Sequence, residues 1–193
     1  MSNLEEKQIK RENIYDGAVL NVVKDTVELP NGKSSVREVC LHPGAVAVIP
    51  LLPDGSVVME RQYRYAHKRV FLEIPAGKLN FKDEPPLDAA KRELREETGA
   101  TAEKYTYLGR LVPSPAILSE VIHLYLAEGL QFGERELDED EFLDVETIPL
   151  ARLYEMVMNG EIEDTKTQIA VLKTYMLKNK NEADQLKALD KFI

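Results

Sequence analysis

One stretch limits this chain more than any other: GKLNFKDEPPLDAAKRELREETG, Gly77 to Gly99. Its second half predicts a short helix. Pro85 and Pro86 suit a first helical turn, where a missing N–H costs nothing. Leu87, Ala90 and Leu94 recur at i, i+3 and i+7, giving one apolar face. Gly99 is a natural stop just past the end. The last turn resists an explanation from stability. Glu93, Glu96 and Glu97 crowd the negative end of the helix dipole, which disfavours each by roughly 0.3–1 kcal/mol at exposed sites. Arg92 precedes Glu96 by four residues, the poorer orientation for such a pair. At i, i+3 and i+4 the three glutamates share one surface. Carboxylates aimed together suit a hard divalent cation, Mg²⁺ above all, with Mn²⁺ a chemical substitute. A solvated face of mixed charge has the same composition, and both readings stay open on these residues alone.

Composition narrows the classes. The 193 residues suit one domain or a domain with a small appendage, and 44% hydrophobic residues can build a core. A net charge of −9 argues against a general nucleic-acid or anionic-membrane binder. Anionic small molecules remain open, because metal ions and a few arginines neutralise them locally. Cys40 is the only cysteine, so no intrachain disulfide forms. It is read as a buried strand residue in VREVCL. With no signal-peptide pattern and no apolar run long enough to span a bilayer, a cytoplasmic location is expected.

Along the chain, residues 1–12 are charged and aperiodic, predicting a loose start. Ile14 to Leu29 and Ser34 to Leu41 read as strands joined by the turn Pro30-Asn31-Gly32-Lys33. His42-Pro43-Gly44 marks a boundary, dividing the chain into an N-terminal antiparallel β unit (1–43) and a main domain (44–193). So small a sheet is marginal alone and needs a partner surface. Ala45 to Leu52 predicts a buried strand, with Pro50 pointing to an edge position or an early end. Ser56 to Tyr63 returns. Arg61 to Tyr65 sets two arginines beside two aromatic rings, as a strand end or a nucleotide clamp. Val70 to Pro75 is another strand. Its Glu73 lies between Leu72 and Ile74, so it is paired, functional or on an open face.

Strands follow at Lys104 to Val112 and Glu120 to Glu128. Gln131 to Glu141 reads as an acidic, mobile loop. A strand resumes at Phe142, and a helix starts at Pro149. Asp164 or Thr165 caps a further helix with Ile169, Leu172, Tyr175 and Met176 at helical spacing. Asn181 to Ile193 suggests a last amphipathic helix. His42, His67 and His123 have no metal-spaced partners and are read as packed or solvated.

Glu84, seven residues, then Arg92-Glu93-Leu94-Arg95-Glu96-Glu97-Thr98-Gly99-Ala100 resembles the signature of the Nudix hydrolases. Six residues rather than five separate Gly77 from Glu84, so either Glu84 or Asp83 takes the first acidic place. The resemblance covers roughly Ala45 to Lys178. It implies an α/β fold, an α/β/α sandwich around a mixed sheet, and hydrolysis of a nucleoside diphosphate linked to another group. By position it makes Glu93, Glu96, Glu97 and the Ala76 carbonyl the metal ligands, with Arg92 orienting the glutamates.

Pro115, sixteen residues after Gly99, resembles the marker of the ADP-ribose pyrophosphatases in this family, as do EIPAGK, RQYR and SPAILSEVIHLYLA. That similarity implies hydrolysis of ADP-ribose to AMP and ribose 5-phosphate, and a homodimer that exchanges the N-terminal unit. Arg61, Arg64, Glu73 and Pro115 become the substrate-binding candidates. Glu141, then Glu139, are the candidate general bases. Another nucleoside diphosphate sugar, a dinucleotide, or a sensor without turnover are the alternatives.

Overall fold

The computed structural model describes residues 3–80, 84–137 and 141–179. The N-terminal β unit is a three-stranded antiparallel sheet: β1 (Lys7–Asp16), β2 (Asn21–Glu28) and β3 (Ser34–Leu41), in that order. The expected turn joins β2 to β3, with Gly32 at φ +80° and its N–H on the Leu29 carbonyl. The loose start predicted through Glu12 is corrected. Residues from Lys7 onward form β1, held by ladder bonds to β2 and by Arg11, which grips the buried Asp25 at 2.8 and 2.6 Å. Long-range pairing supplied the order that local pattern lacked. Cys40 is half-buried in β3, and its N–H donates to the Ile117 carbonyl, tying the unit to the main domain.

The main sheet has seven strands. Its path runs β10 (Leu143–Pro149), β5 (Ser56–Arg64), β4 (Ala45–Leu51), β9 (Ile122–Phe132) and β8 (Ala100–Leu111). β4 and β9 are parallel; the other pairs are antiparallel, so the sheet is mixed as expected. Every residue of β4 is buried. Val46 and Val48 pack under α1 (Pro86–Thr98) with Ala89, Ala90 and Leu94. Ala47 and Ile49 face the other way, toward α2 (Leu150–Met158) and α3 (Thr165–Lys178) through Leu153, Ala170 and Val171. Alternation along one strand thus builds a three-layer α/β/α sandwich, each buried aliphatic side chain contributing about 1.5–3 kcal/mol.

Pro50 does not mark an edge, because β4 is central. Val48 N–H donates to Pro75 and Leu52 N–H to Ser56, so even-numbered residues address the β5 flank. The donor missing at Pro50 is lost from that flank and spares the ladder with β9. On this flank β4 and β5 pair only at Leu51–Val57 and then splay. Beyond the splay β6 (Arg69–Glu73) pairs antiparallel with β5, and β7 (Ala76–Lys78) pairs antiparallel with β4. One continuous segment therefore crosses the opening.

Helix faces also differ from periodicity. Leu87 is exposed, while Ala89, Ala90 and Leu94 form the buried stripe of α1. The fully buried side of α3 is Thr167, Ala170, Val171 and Thr174; Met176 faces solvent. Gln131 and Phe132, expected in a loop, finish β9. The suggested helix from Asn181 lies outside the described residues. No helix among them is long and apolar enough to cross a membrane.

Candidate active site

The segment that bridges the splay carries the site. Ile74 N–H donates to Thr167 Oγ1 at 3.0 Å, fixing the β6–β7 link to the start of α3. Asp164 caps that helix through the Thr167 N–H at 3.0 Å. β7 then leads toward α1, whose last turn returns the glutamates to Ala76. The Ala76 N–H donates to Glu97 Oε2 at 2.9 Å. Gly77 is required by closeness: a Cβ there would lie 2.0 Å from the Glu93 carboxyl carbon. Gly99 ends α1 at φ +71°, and a Cβ there would meet the Gly133 carbonyl at 2.4 Å.

Arg92 organises the outer carboxylates. Its Nη1 donates to Glu93 at 2.6 Å and Glu96 at 3.0 Å, and its Nε to Glu84 at 3.3 Å. Glu84 also accepts the Asn80 N–H at 2.6 Å, bracing the loop ahead of the helix. This is the orienting role expected of Arg92. Residues 81–83, where the extra loop residue falls, lie outside the described residues.

Arg64, Ala76, Gly77, Arg92, Glu93, Glu96, Glu97 and Glu141 line one cleft of about 480 Å³. Six of these were sequence candidates: Arg64, Ala76, Glu93, Glu96, Glu97 and Glu141. Arg64 is held there by a bidentate pair to Glu73 at 2.8 and 2.7 Å. Glu73 is buried behind it and is also paired with Lys166. Burial pushes the Glu73 carboxyl up, but Arg64 and Lys166 outweigh it and hold the group at about 2. Glu141 accepts from Gln62 Nε2 at 3.4 Å.

The remaining candidates stand elsewhere. Arg61 pairs with Glu146 at 2.5 Å and lines a separate groove with Tyr63, Glu141 and Phe142. Pro115 is exposed in a turn, while Pro113 lines the cavity beside the cleft. Glu139 lies outside the described residues. In the described part of the acidic loop, Glu136 N–H donates to the Glu96 carbonyl at 3.0 Å, answering one open carbonyl at the end of α1.

Sequence reasoning missed Glu60 and Lys166, and read Asp164 only as the helix cap that it is. Glu60 ends the run Val57-Val58-Met59 and is 2% exposed. The signal was the one that singled out Glu73, a lone acid in an apolar strand. Burial raises the carboxyls of Glu60 and Glu97; neighbouring carboxylates raise Glu97 further, whereas the bond to Glu97 and the charge of Lys166 partly offset the rise at Glu60. Burial likewise raises Glu93 against the pull of Arg92.

Among the described residues, no three of these carboxylates form a ready metal cage. Arg92 draws Glu93 and Glu96, and Glu97 turns to the Ala76 amide. The donor set nevertheless fits a hard cation: every donor is oxygen, and the deepest acids repel one another in a dry setting.

Two family models match the chain. The NUDIX domain covers residues 41–168, and the nucleoside diphosphate sugar hydrolase N-terminal domain covers 6–39. A Bacillus subtilis (strain 168) protein named ADP-ribose pyrophosphatase is 46% identical over 89% of this chain and 93% of its own. A Bacillus methanolicus protein named methanol dehydrogenase activator is also 46% identical, over 86% and 91%. The solved structure of an ADP compounds hydrolase superposes with a TM-score of 0.81 at 23% identity, covering 94% of this chain and 98% of the other, and shares the fold.

Proposed function

The chain belongs to the NUDIX family, and from that membership we propose that it hydrolyses ADP-ribose to AMP and ribose 5-phosphate with Mg²⁺. The observation that carries this reading is the single cleft that joins Glu93, Glu96, Glu97 and Glu141 to Arg64. Water adds across the pyrophosphate, one P–O bond breaks, and each product leaves with one phosphate. Glu93, Glu96, Glu97 and the Ala76 carbonyl would hold the divalent ion, Mg²⁺ or Mn²⁺, which supplies charge neutralisation and a more acidic water.

In this reading Glu141 takes the proton of the attacking water, with Glu139 as its alternate. Arg64 grips a phosphate, and Glu73 fixes its direction. The N-terminal unit (1–43) is exchanged with a second subunit, and the hydrolase domain spans 44–193. Arg61 and Pro115, outside the cleft of one chain, are assigned to substrate contacts near that boundary. The one cysteine and the acidic surface suit a cytoplasmic enzyme of small nucleotides, with no nucleic-acid or membrane partner.

The test is product formation from ADP-ribose with Mg²⁺, comparing the intact protein with Glu97→Gln. AMP and ribose 5-phosphate in equal amounts are expected, with turnover reduced at least about 100-fold in the variant. Equal turnover by both would remove Glu97 from the ligand set. No products from either would move the substrate to another nucleoside diphosphate sugar or a dinucleotide, or leave a sensor without turnover.

A further inference from the structure

Glu60 is an acid that the motif pattern does not contain. It lies on β5, opposite Glu73 on β6 and Val145 on β10, where β4 and β5 splay. The preceding residues Val57, Val58 and Met59 are core, and Glu60 is as buried as they are. Its carboxyl is hydrogen-bonded to that of Glu97, while Oε1 is buried with no hydrogen-bond partner among the described residues. No described Lys or Arg forms a salt bridge with it: Arg64 and Lys166 are both engaged by Glu73, and Lys166 acts on Glu60 only through its nearby charge.

A buried carboxyl with no directly paired cation is costly, and an apolar residue at the end of this strand would avoid the cost. Two carboxyls in contact, one with an unanswered oxygen, match what a hard divalent cation accepts as ligands. The Ala76 amide holds the other oxygen of Glu97, so Glu97 stays directed toward this end of the cleft.

We propose that Glu60 is a further oxygen ligand of the divalent-cation site, entering from the sheet beside Glu97. The proposal rests on the cation-dependent reading of the cleft, but not on the identity of the substrate. It predicts that cation affinity depends on a residue outside the helix motif.

The experiment is direct titration of Mn²⁺ into the full-length protein, followed by electron paramagnetic resonance and calorimetry, without substrate. Intact protein, Glu60→Gln and Glu60→Val are compared, with Glu128→Gln as a distant control. Circular dichroism and a cooperative melt establish folding, and the isosteric Glu60→Gln serves if the Val variant does not fold. Glu60→Gln is expected to bind Mn²⁺ at least 10-fold more weakly, or with one ion fewer, while Glu128→Gln matches the intact protein. Unchanged affinity and stoichiometry in folded Glu60→Gln overturn the proposal, and so does an intact protein that binds no Mn²⁺. Weakened binding in a protein whose intact form leaves ADP-ribose uncut would sustain Glu60 as a ligand and reject only the substrate.

Discussion

Glu73 and Glu97 are both buried acids, yet their surroundings give them opposite tendencies. Glu97 lies among other carboxylates, so burial and repulsion disfavour its charge. Glu73 is clasped by Arg64 and Lys166, which overcome its burial and keep it ionised down to about pH 2. Relative to its ordinary value of 4.5, a depressed folded pKa gives stability that is present above about pH 4.5 and lost as pH falls toward 2. Glu73→Gln is therefore expected to lower stability by about 3 kcal/mol at pH 7. The difference from the intact protein should close as pH falls between those limits. Urea unfolding of both proteins at pH 7, 4 and 2.5 measures it. A gap that stays constant with pH would mean that the Glu73 charge is not what anchors Arg64.

At the scale of elements, the site depends on how closely β7 approaches α1. Gly77 permits that approach, since any Cβ would occupy the place of the Glu93 carboxylate. The colliding atoms are the end of a flexible side chain, so the helix need not move. Gly77→Ala should consequently fold, with a melting temperature near that of the intact protein, and lose at least about 10-fold in Mg²⁺ affinity or turnover. Steady-state rates across a Mg²⁺ series, beside a thermal melt, separate the two effects. Native turnover at native Mg²⁺ dependence would show that Glu93 can act from another rotamer. The glycine, the helix limits and the glutamate spacing were legible in the sequence because each is a local constraint. The contact that explains the glycine was not, because it lies sixteen residues away, across a loop.

For the whole molecule, the N-terminal sheet is the part least accounted for by one chain. Every residue of β1 is exposed, including Ile9, Ile14 and Tyr15, and Val36 on β3 is exposed as well. A three-stranded sheet with apolar side chains in water gains from a covering surface. Light scattering on the full-length protein should give about twice the 21.9 kDa chain mass. Removal of residues 1–43 should yield monomer or aggregate. A monomer at every concentration for the intact chain would rule out the exchanged unit and return Arg61 and Pro115 to the surface.

The sequence by itself determined the helix from Pro86, its glycine stop, the clustered glutamates, the hairpin turn at Asn31-Gly32 and the approximate position of the strands from Ser34 to Glu73. These follow from local spacing, backbone preference and the side-chain period of helices and strands. Only the tertiary structure decided that β4 is central despite Pro50, that residues from Lys7 form a strand, and that Leu87 faces solvent. It alone placed Glu60 against Glu97, and Glu73 between Arg64 and Lys166. The reason is physical. Strand pairing and burial are set by partners distant in sequence, and the ionisation of a carboxylate is set by the charges that folding brings to it.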